Sequence, residues 1–415
     1  MTSALDGAFF RHAYGRLVAM LVRRYGVARL EAVEDAVQSA LLAAVETWPI
    51  AGEPDNPTAW LHRTAHNALL DGLRRDAGRM RIASTLPDAG DVAEPPSTFL
   101  AGDVEHDLLR MLFVCCHPAV PIEGQLVFAL KTLCGFGVTE IGQRLFLTDA
   151  NVYKRLSRAR ERLRDHAVGD DELSLAELSA RMPAVESVLY LMFTEGHLSS
   201  HEDGALRRDL CDEALRLASS LAKHAVGGTP EMSALVALMH LHRARSAARI
   251  DAVGGLVLLE EQDRAAWDAA DIAAGIAWLE RSASGDVVSR YHLEAAIAAE
   301  HCLAPSFAAT HWERVVELYE QLDRLACSPL HTLNRALAIA ECRGPRVGLD
   351  VLAGLAPPTW LDGSFLWTAV LADLHGRAGD DDVAARYREL TLEGAPSAQV
   401  RAALARRLAT RRFAQ

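Results

Sequence analysis

TEIGQRLFLTDANVYKRLSRARERLR, residues 139 to 164, gathers seven Lys or Arg residues in a chain whose formal net charge is -12. Apolar spacing predicts two short helices here. Thr139 is placed to cap EIGQRLFL, and Thr148 or Asp149 to cap a second helix starting near Ala150. On that second helix Val152, Leu156, Ala159 and Leu163 recur at helical intervals and form an inward stripe, which Ile141 and Leu145 face from the first. Asn151, Tyr153, Lys154, Arg155, Ser157 and Arg158 are left outside, with Arg160, Arg162 and Arg164 farther along. Two readings fit these residues. One is a helix-turn-helix whose amides, hydroxyls and guanidinium groups read base edges while the later arginines hold phosphate. The other is the solvated face of an amphipathic helix. Phe146 stands where many such units have Gly in the turn.

Upstream, residues 8 to 85 read as three helices. Val33, Val37, Ala40, Leu41 and Ala44 line one side of the second, and Asn56 with Pro57 marks the start of the third. On that third helix Trp60, Arg63, Asn67, Asp71, Arg74 and Arg75 fall near one side, with Ala65, Leu69, Leu70 and Leu73 available to a core. Such a face suits stacking on an unpaired base with cations on the phosphates. A core Trp beside ordinary Asp-Arg pairs explains it equally. Residues 82 to 103, rich in Pro, Gly and Asp and without periodicity, read as an acidic linker. After residue 169 acidic residues outnumber basic ones by about 35 to 24, so the first part is nearly neutral and able to carry local basic faces.

The 415 residues are half hydrophobic, with Ala and Leu dominating and few aromatic residues, which predicts an all-α fold in several domains. No secretory leader is legible, and LFVCCHPAV is too short to span a bilayer, so a cytoplasmic protein without a membrane partner is expected. Seven scattered cysteines fit reduced thiols. Cys115, Cys116 and His117 invite a zinc reading, but a second ligand pair is missing and core packing explains them. The chain stays helical to its end, broken at Gly227-Gly228, Gly254-Gly255, Ser284-Gly285, Gly344-Pro345 and Pro357-Pro358. Two late segments, 328 to 356 and 365 to 396, share a helix-turn-helix form of tetratricopeptide character. VLYLMFTEGH, with Tyr190, Phe193, Glu195 and His197, reads as a core helix ending at Gly196 rather than a metal or catalytic site. LEEQDRAAWD, ending near Trp267, reads either as an exposed helix or as a buried polar network. With no phosphate loop and no nucleophile-base set, neither an enzyme nor a cofactor is expected.

Two basic modules around an acidic linker resemble an extracytoplasmic-function sigma factor of the sigma-70 family. EDAVQSALLAAVETWP with NPTAWLHRTAHNALLDGLRR is similar to region 2, and GVTEIGQRLFLTDANVYKRLSRARERLRD to region 4. The resemblance divides the chain into region 2 (1–81), linker (82–103), region 4 (104–168) and a C-terminal helical domain (169–415) of the tetratricopeptide-bearing subfamily. It implies that Glu34, Asp35, Gln38, Leu41 and Trp48 lie where core RNA polymerase docks through its β′ clamp, with β as a further contact. It further implies that Trp60, Arg63, Asn67, Asp71, Arg74 and Arg75 meet the -10 element of promoter DNA. Asn151, Tyr153, Lys154, Arg155, Ser157, Arg158 and Arg162 are then the -35 set, with Arg155 and Arg162 on phosphate. The linker would run toward the polymerase active site and RNA exit path. The C-terminal domain is expected to control transcription, with a protein partner open to it. A protein-interaction scaffold with a degenerate sigma-like N-terminal half remains the alternative.

Overall fold

Periodicity of 3.6 residues decides each element. The structure, a computed structural model, describes residues 7–80, 101–145, 147–166, 174–197, 208–251, 255–395 and 397–410. Apart from turns and one isolated bridge between Ile250 and Leu256, the elements among them are helical. Two compact units divide the chain, residues 1–192 and 193–415.

The first unit holds α1 (Gly7–Tyr25), α2 (Leu30–Ala51), α3 (Pro57–Met80), α4 (Ala101–Cys115), α5 (Ile122–Thr132), α6 (Val138–Leu145), α7 (Asp149–Asp165) and most of α8 (Leu175–His197). Of the stripe expected on α2, Val33, Val37, Ala40 and Ala44 are fully buried, while Leu41 is half-buried. Ala65 and Leu69 of α3 are buried as well, as are Leu17 and Leu21 of α1, and the three helices pack on one another. Asn56 Oδ1 accepts the Ala59 amide at 3.0 Å and Pro57 opens α3, the start foreseen from sequence. Tight packing also ties α1 to the later helices. Arg23 donates to the buried Asp107 of α4 at 2.7 Å, and a Cβ on Gly15 would lie 2.0 Å from the Leu133 carbonyl oxygen just after α5.

Some expectations are corrected. Positions 82–100 of the expected linker and Phe146 lie outside the described residues, while positions 101–103 already belong to α4. Thr139 does not cap a helix; it sits inside α6 and its hydroxyl donates to Asp149 Oδ2 at 3.1 Å. The division into two units falls after residue 192, within α8.

The second unit contains the end of α8, then α9 (Arg208–Ala222), α10 (Pro230–Arg243), α11 (Ala269–Ser282), α12 (Arg290–Leu303), α13 (Trp312–Leu325), α14 (Pro329–Arg343), α15 (Pro345–Ala353), α16 (Phe365–Ala378), α17 (Asp381–Glu393) and α18 (Ala398–Thr410). Helix α10 is its spine: Thr229 caps it, and Met232 to Met239 are buried without interruption. Asp271 of α11 accepts Arg243 Nε at 2.8 Å and meets His240 Nδ1 at 2.9 Å, pinning the two helices. Beyond α12 the helices pack as successive pairs. One core joins Leu293, Ile297, Val315, Val316, Leu318 and Leu322 to Ile339; the next joins Leu333, Ala336 and Ala340 to Leu352, Leu361, Leu371 and Leu374. LEEQDRAAWD forms a turn and the short 3-10 helix Arg264–Ala266, not an ordinary exposed helix, because Trp267 is drawn into the interior.

Candidate nucleic-acid interface

Helix α7 buries Val152, Leu156, Ala159 and Leu163, each at 3 % exposure or less. Burying the three larger side chains contributes about 1.5–3 kcal/mol apiece, enough to fix which way the helix faces. Thr148 caps it, accepting the Asn151 amide at 3.4 Å. A close approach sets the angle to α6: the Leu147 amide donates to the Gly142 carbonyl at 2.8 Å, and a Cβ on Gly142 would lie 2.7 Å from the Leu147 oxygen. The small residue that this corner requires therefore sits in the first helix.

Asn151, Tyr153, Lys154, Ser157, Arg158 and Arg162 are exposed on α7, and Arg155 is half-buried. Arg162 also donates to the Ala119 carbonyl at 3.0 Å. Arg160 is not on the phosphate side where sequence put it. Its guanidinium donates to Glu34 Oε2 of α2 at 2.5 Å, and Glu34 Oε1 accepts the Thr132 hydroxyl at 3.0 Å. Glu34 is 2 % exposed, so this pairing consumes the carboxylate within the first unit.

On α3, Arg63, Asn67, Asp71, Arg74 and Arg75 form one exposed face, spaced at successive helical turns. Asp71 accepts Arg74 Nη1 at 3.3 Å, a pair open to water and hence weak. Trp60 is half-buried and meets Trp48 edge-on, with ring centroids 5.5 Å apart. Trp48 also packs against Phe9 and Phe10. Behind this face, the Tyr25 hydroxyl and His66 Nε2 hydrogen-bond at 2.7 Å, and His62 stacks on His66. Burial, reinforced by His66 and Arg24, pushes His62 down to about 4.

The residues expected at a polymerase contact separate. Glu34 and Trp48 are buried, Leu41 is half-buried, and Asp35 and Gln38 are exposed. Sequence reasoning missed Leu42 and Val45, which are 59 % and 48 % exposed. They continue the line of Asp35 and Gln38 at helical spacing. Their signal was present: two large apolar residues displaced from the Val33, Val37, Ala40, Ala44 stripe.

Cys115 and Cys116 are buried, and burial raises both thiols. Among the described residues no group of three His, Cys, Asp or Glu is arranged to hold a metal, and no helix is long and apolar enough to cross a membrane.

Residues 10–79 match Sigma-70 region 2, so α1 to α3 form a domain of that class, which implies binding to core RNA polymerase and a role in transcription initiation. Residues 181–283 match a family of unknown function (DUF6596). The uncharacterized protein R00370 of Rhizobium meliloti (strain 1021) is 34 % identical over 329 residues, covering 79 % of this chain and 78 % of that protein. This chain belongs to the family of that protein. No solved structure matches it.

Proposed function

We propose that the chain is a sigma factor of the extracytoplasmic-function class, directing core polymerase to promoters with -10 and -35 elements. The observation that carries this reading is the exposed Arg63, Asn67, Asp71, Arg74, Arg75 face lying inside the segment that matches region 2. Its cations and amide suit an unstacked strand, whose flipped base costs a few kcal/mol that these contacts and Trp60 offset. Helices α6 and α7 act as region 4, with Asn151, Tyr153, Lys154, Ser157 and Arg158 toward the bases and Arg155 and Arg162 toward phosphate. Polymerase docks along Asp35, Gln38, Leu42 and Val45, where apolar area and hydrogen-bonding groups share one stripe. Engaging Glu34 as well requires the α2 contact with α7 to open, since Arg160 holds it, and engaging Trp48 requires its packing on Phe9, Phe10 and Trp60 to loosen. The helical pairs of the second unit serve as a tetratricopeptide-like regulatory domain. The chain acts by binding, without a cofactor.

In vitro transcription with core polymerase and a genomic promoter library tests this. Specific initiation is expected, lost in Leu42→Asp while folding is retained, because Leu42 is already in water. Absence of specific initiation by the folded chain would instead favour a protein-interaction scaffold, a reading to which the inward-turned Glu34 and Trp48 lend weight.

A further inference from the structure

Two motifs that promoter recognition leaves unused, VLYLMFTEGH and LEEQDRAAWD, meet in the second unit beside the ends of α10 and α12. The His197 ring lies 4.7 Å from that of His242, and Phe193 stacks against His197 at 6.0 Å. Arg249 hydrogen-bonds to His197 Nε2. Trp267 carries Arg264 over its ring at 4.5 Å and Arg245 at 5.8 Å. Arg264 is anchored by the carbonyl oxygens of His301 and Ala304. Three guanidinium groups and three imidazoles thus converge around the buried Arg245, with Arg264 half-exposed at the edge.

What the cluster lacks, among the described residues, is a carboxylate partner. Arg245 is 8 % exposed, and among the described residues its guanidinium donates no hydrogen bond; its Nε is shielded from water and unpaired. Arg264 Nη2, Trp267 Nε1 and the Nδ1 atoms of His197, His242 and His301 are shielded and unpaired as well. A buried arginine is ordinarily retained by carbonyl oxygens, as Arg264 is, or by a carboxylate. Among the described residues, the groups acting on His197, His242, Arg245 and Arg249 are burial itself, one another, and neighbouring cations, thiols and a phenol, with no carboxylate among them. Burial and these cations hold His197 and His242 well below the ordinary imidazole range, His301 at about 3 and Arg249 at about 10. The imidazoles are therefore neutral, and because His197 Nε2 accepts from Arg249, its Nδ1 carries the proton and can only donate.

We propose that this cluster is a binding site for a small oxyanion, orthophosphate or a phosphomonoester, held by Arg245 and Arg249 and completed by donors from Arg264 and Trp267. Planar guanidinium forks match phosphate oxygens two at a time, and a dianion offsets two buried cations where a single carboxylate would offset one. The proposal stands whether or not the chain initiates transcription.

Calorimetric titration of the phosphate-free full chain with orthophosphate, and separately with glycerol phosphate, tests it at constant ionic strength. Saturable binding of one anion per chain is expected, with the unfolding midpoint raised by about 3–5 °C at roughly ten times Kd. The tighter of the two probes identifies whether the free ion or a phosphomonoester is the natural occupant. Arg245→Met is expected to weaken binding at least about tenfold. Arg249→Gln provides the same comparison should the first variant fail to fold. The proposal is overturned if neither probe stabilises the chain beyond matched chloride, or if both folded variants bind as the parent does.

Discussion

Lys154 and Arg158 stand one turn apart on the exposed side of α7, while Arg162, a further turn along, already donates to the Ala119 carbonyl. The first two are free to enter a groove; the third is steered toward the flank. Replacing Lys154 or Arg158 by Ala should relax -35 preference by about 1–3 kcal/mol per discriminated base. Replacing Arg162 should weaken all sequences alike and lower the salt slope by about 1. Affinities for a panel of -35 variants at several salt concentrations check this; equal losses for all three residues would contradict the division. His62, behind the other basic face, makes a prediction of different kind. The unfolded chain takes up its imidazole proton near pH 6.5, and the folded one only near 4. Its neutral burial therefore contributes fully above pH 6.5, and that contribution is lost as pH falls through this window, by up to about 3 kcal/mol. NMR titration of the His62 ring should give a midpoint near 4, and a value at or above 6 would remove the basis for the claim.

At the scale of elements, the contact between α2 and α7 is the one with most at stake. Glu34 is 2 % exposed, and its partners are Arg160 and Thr132. Arg160→Ala would leave a buried carboxylate with a hydroxyl alone, at a cost of about 3 kcal/mol. Glu34→Gln together with Arg160→Ala should recover part of it, a coupling of at least about 1 kcal/mol by urea unfolding. Strictly additive losses would show that the pair contributes nothing jointly. This contact also marks where sequence reasoning stops. The stripes Val33, Val37, Ala40, Ala44 and Val152, Leu156, Ala159, Leu163 were legible because a helix repeats every 3.6 residues and water sorts apolar from polar faces locally. Nothing local to either residue pairs Glu34 with Arg160, which lie 126 positions apart. A carboxylate and an arginine each read as surface until tertiary packing brings them together. The same reasoning explains Trp48, whose burial depends on Phe9, Phe10 and Trp60 arriving from other helices, and Arg245, whose place beside Trp267 no periodicity announces.

At the scale of the whole molecule, charge and composition set a nearly neutral N-terminal part with basic faces against a more acidic helical remainder, and the family resemblance puts the joint at residue 169. Helix α8 bears on it. Arg181, 3 % exposed, donates to the Phe113 carbonyl of the α4 region at 2.8 Å, and residues up to Met192 belong to the first unit. Pro and Gly content cannot reveal this, because a helix continuing past a linker is invisible to local propensity when tertiary contacts decide which unit owns it. A fragment ending at residue 169 should therefore lose the Arg181 bond and the cover α8 gives, whereas one ending at residue 197 retains them. Removing a buried hydrogen bond from a guanidinium costs about 1.5–3 kcal/mol, which lowers the unfolding midpoint by roughly 3–10 °C in a unit of this size. Thermal unfolding of the two fragments makes the comparison. Arg181→Ala in the longer fragment should reproduce a good part of the deficit, since the Phe113 oxygen is then left without its donor. If the two fragments melt together, α8 adds nothing to the first unit and the joint at residue 169 stands. If the longer one is more stable, any transcription assay on the shorter one would confuse loss of the C-terminal unit with loss of a structural helix, so a test of regulation by that unit has to begin after residue 197.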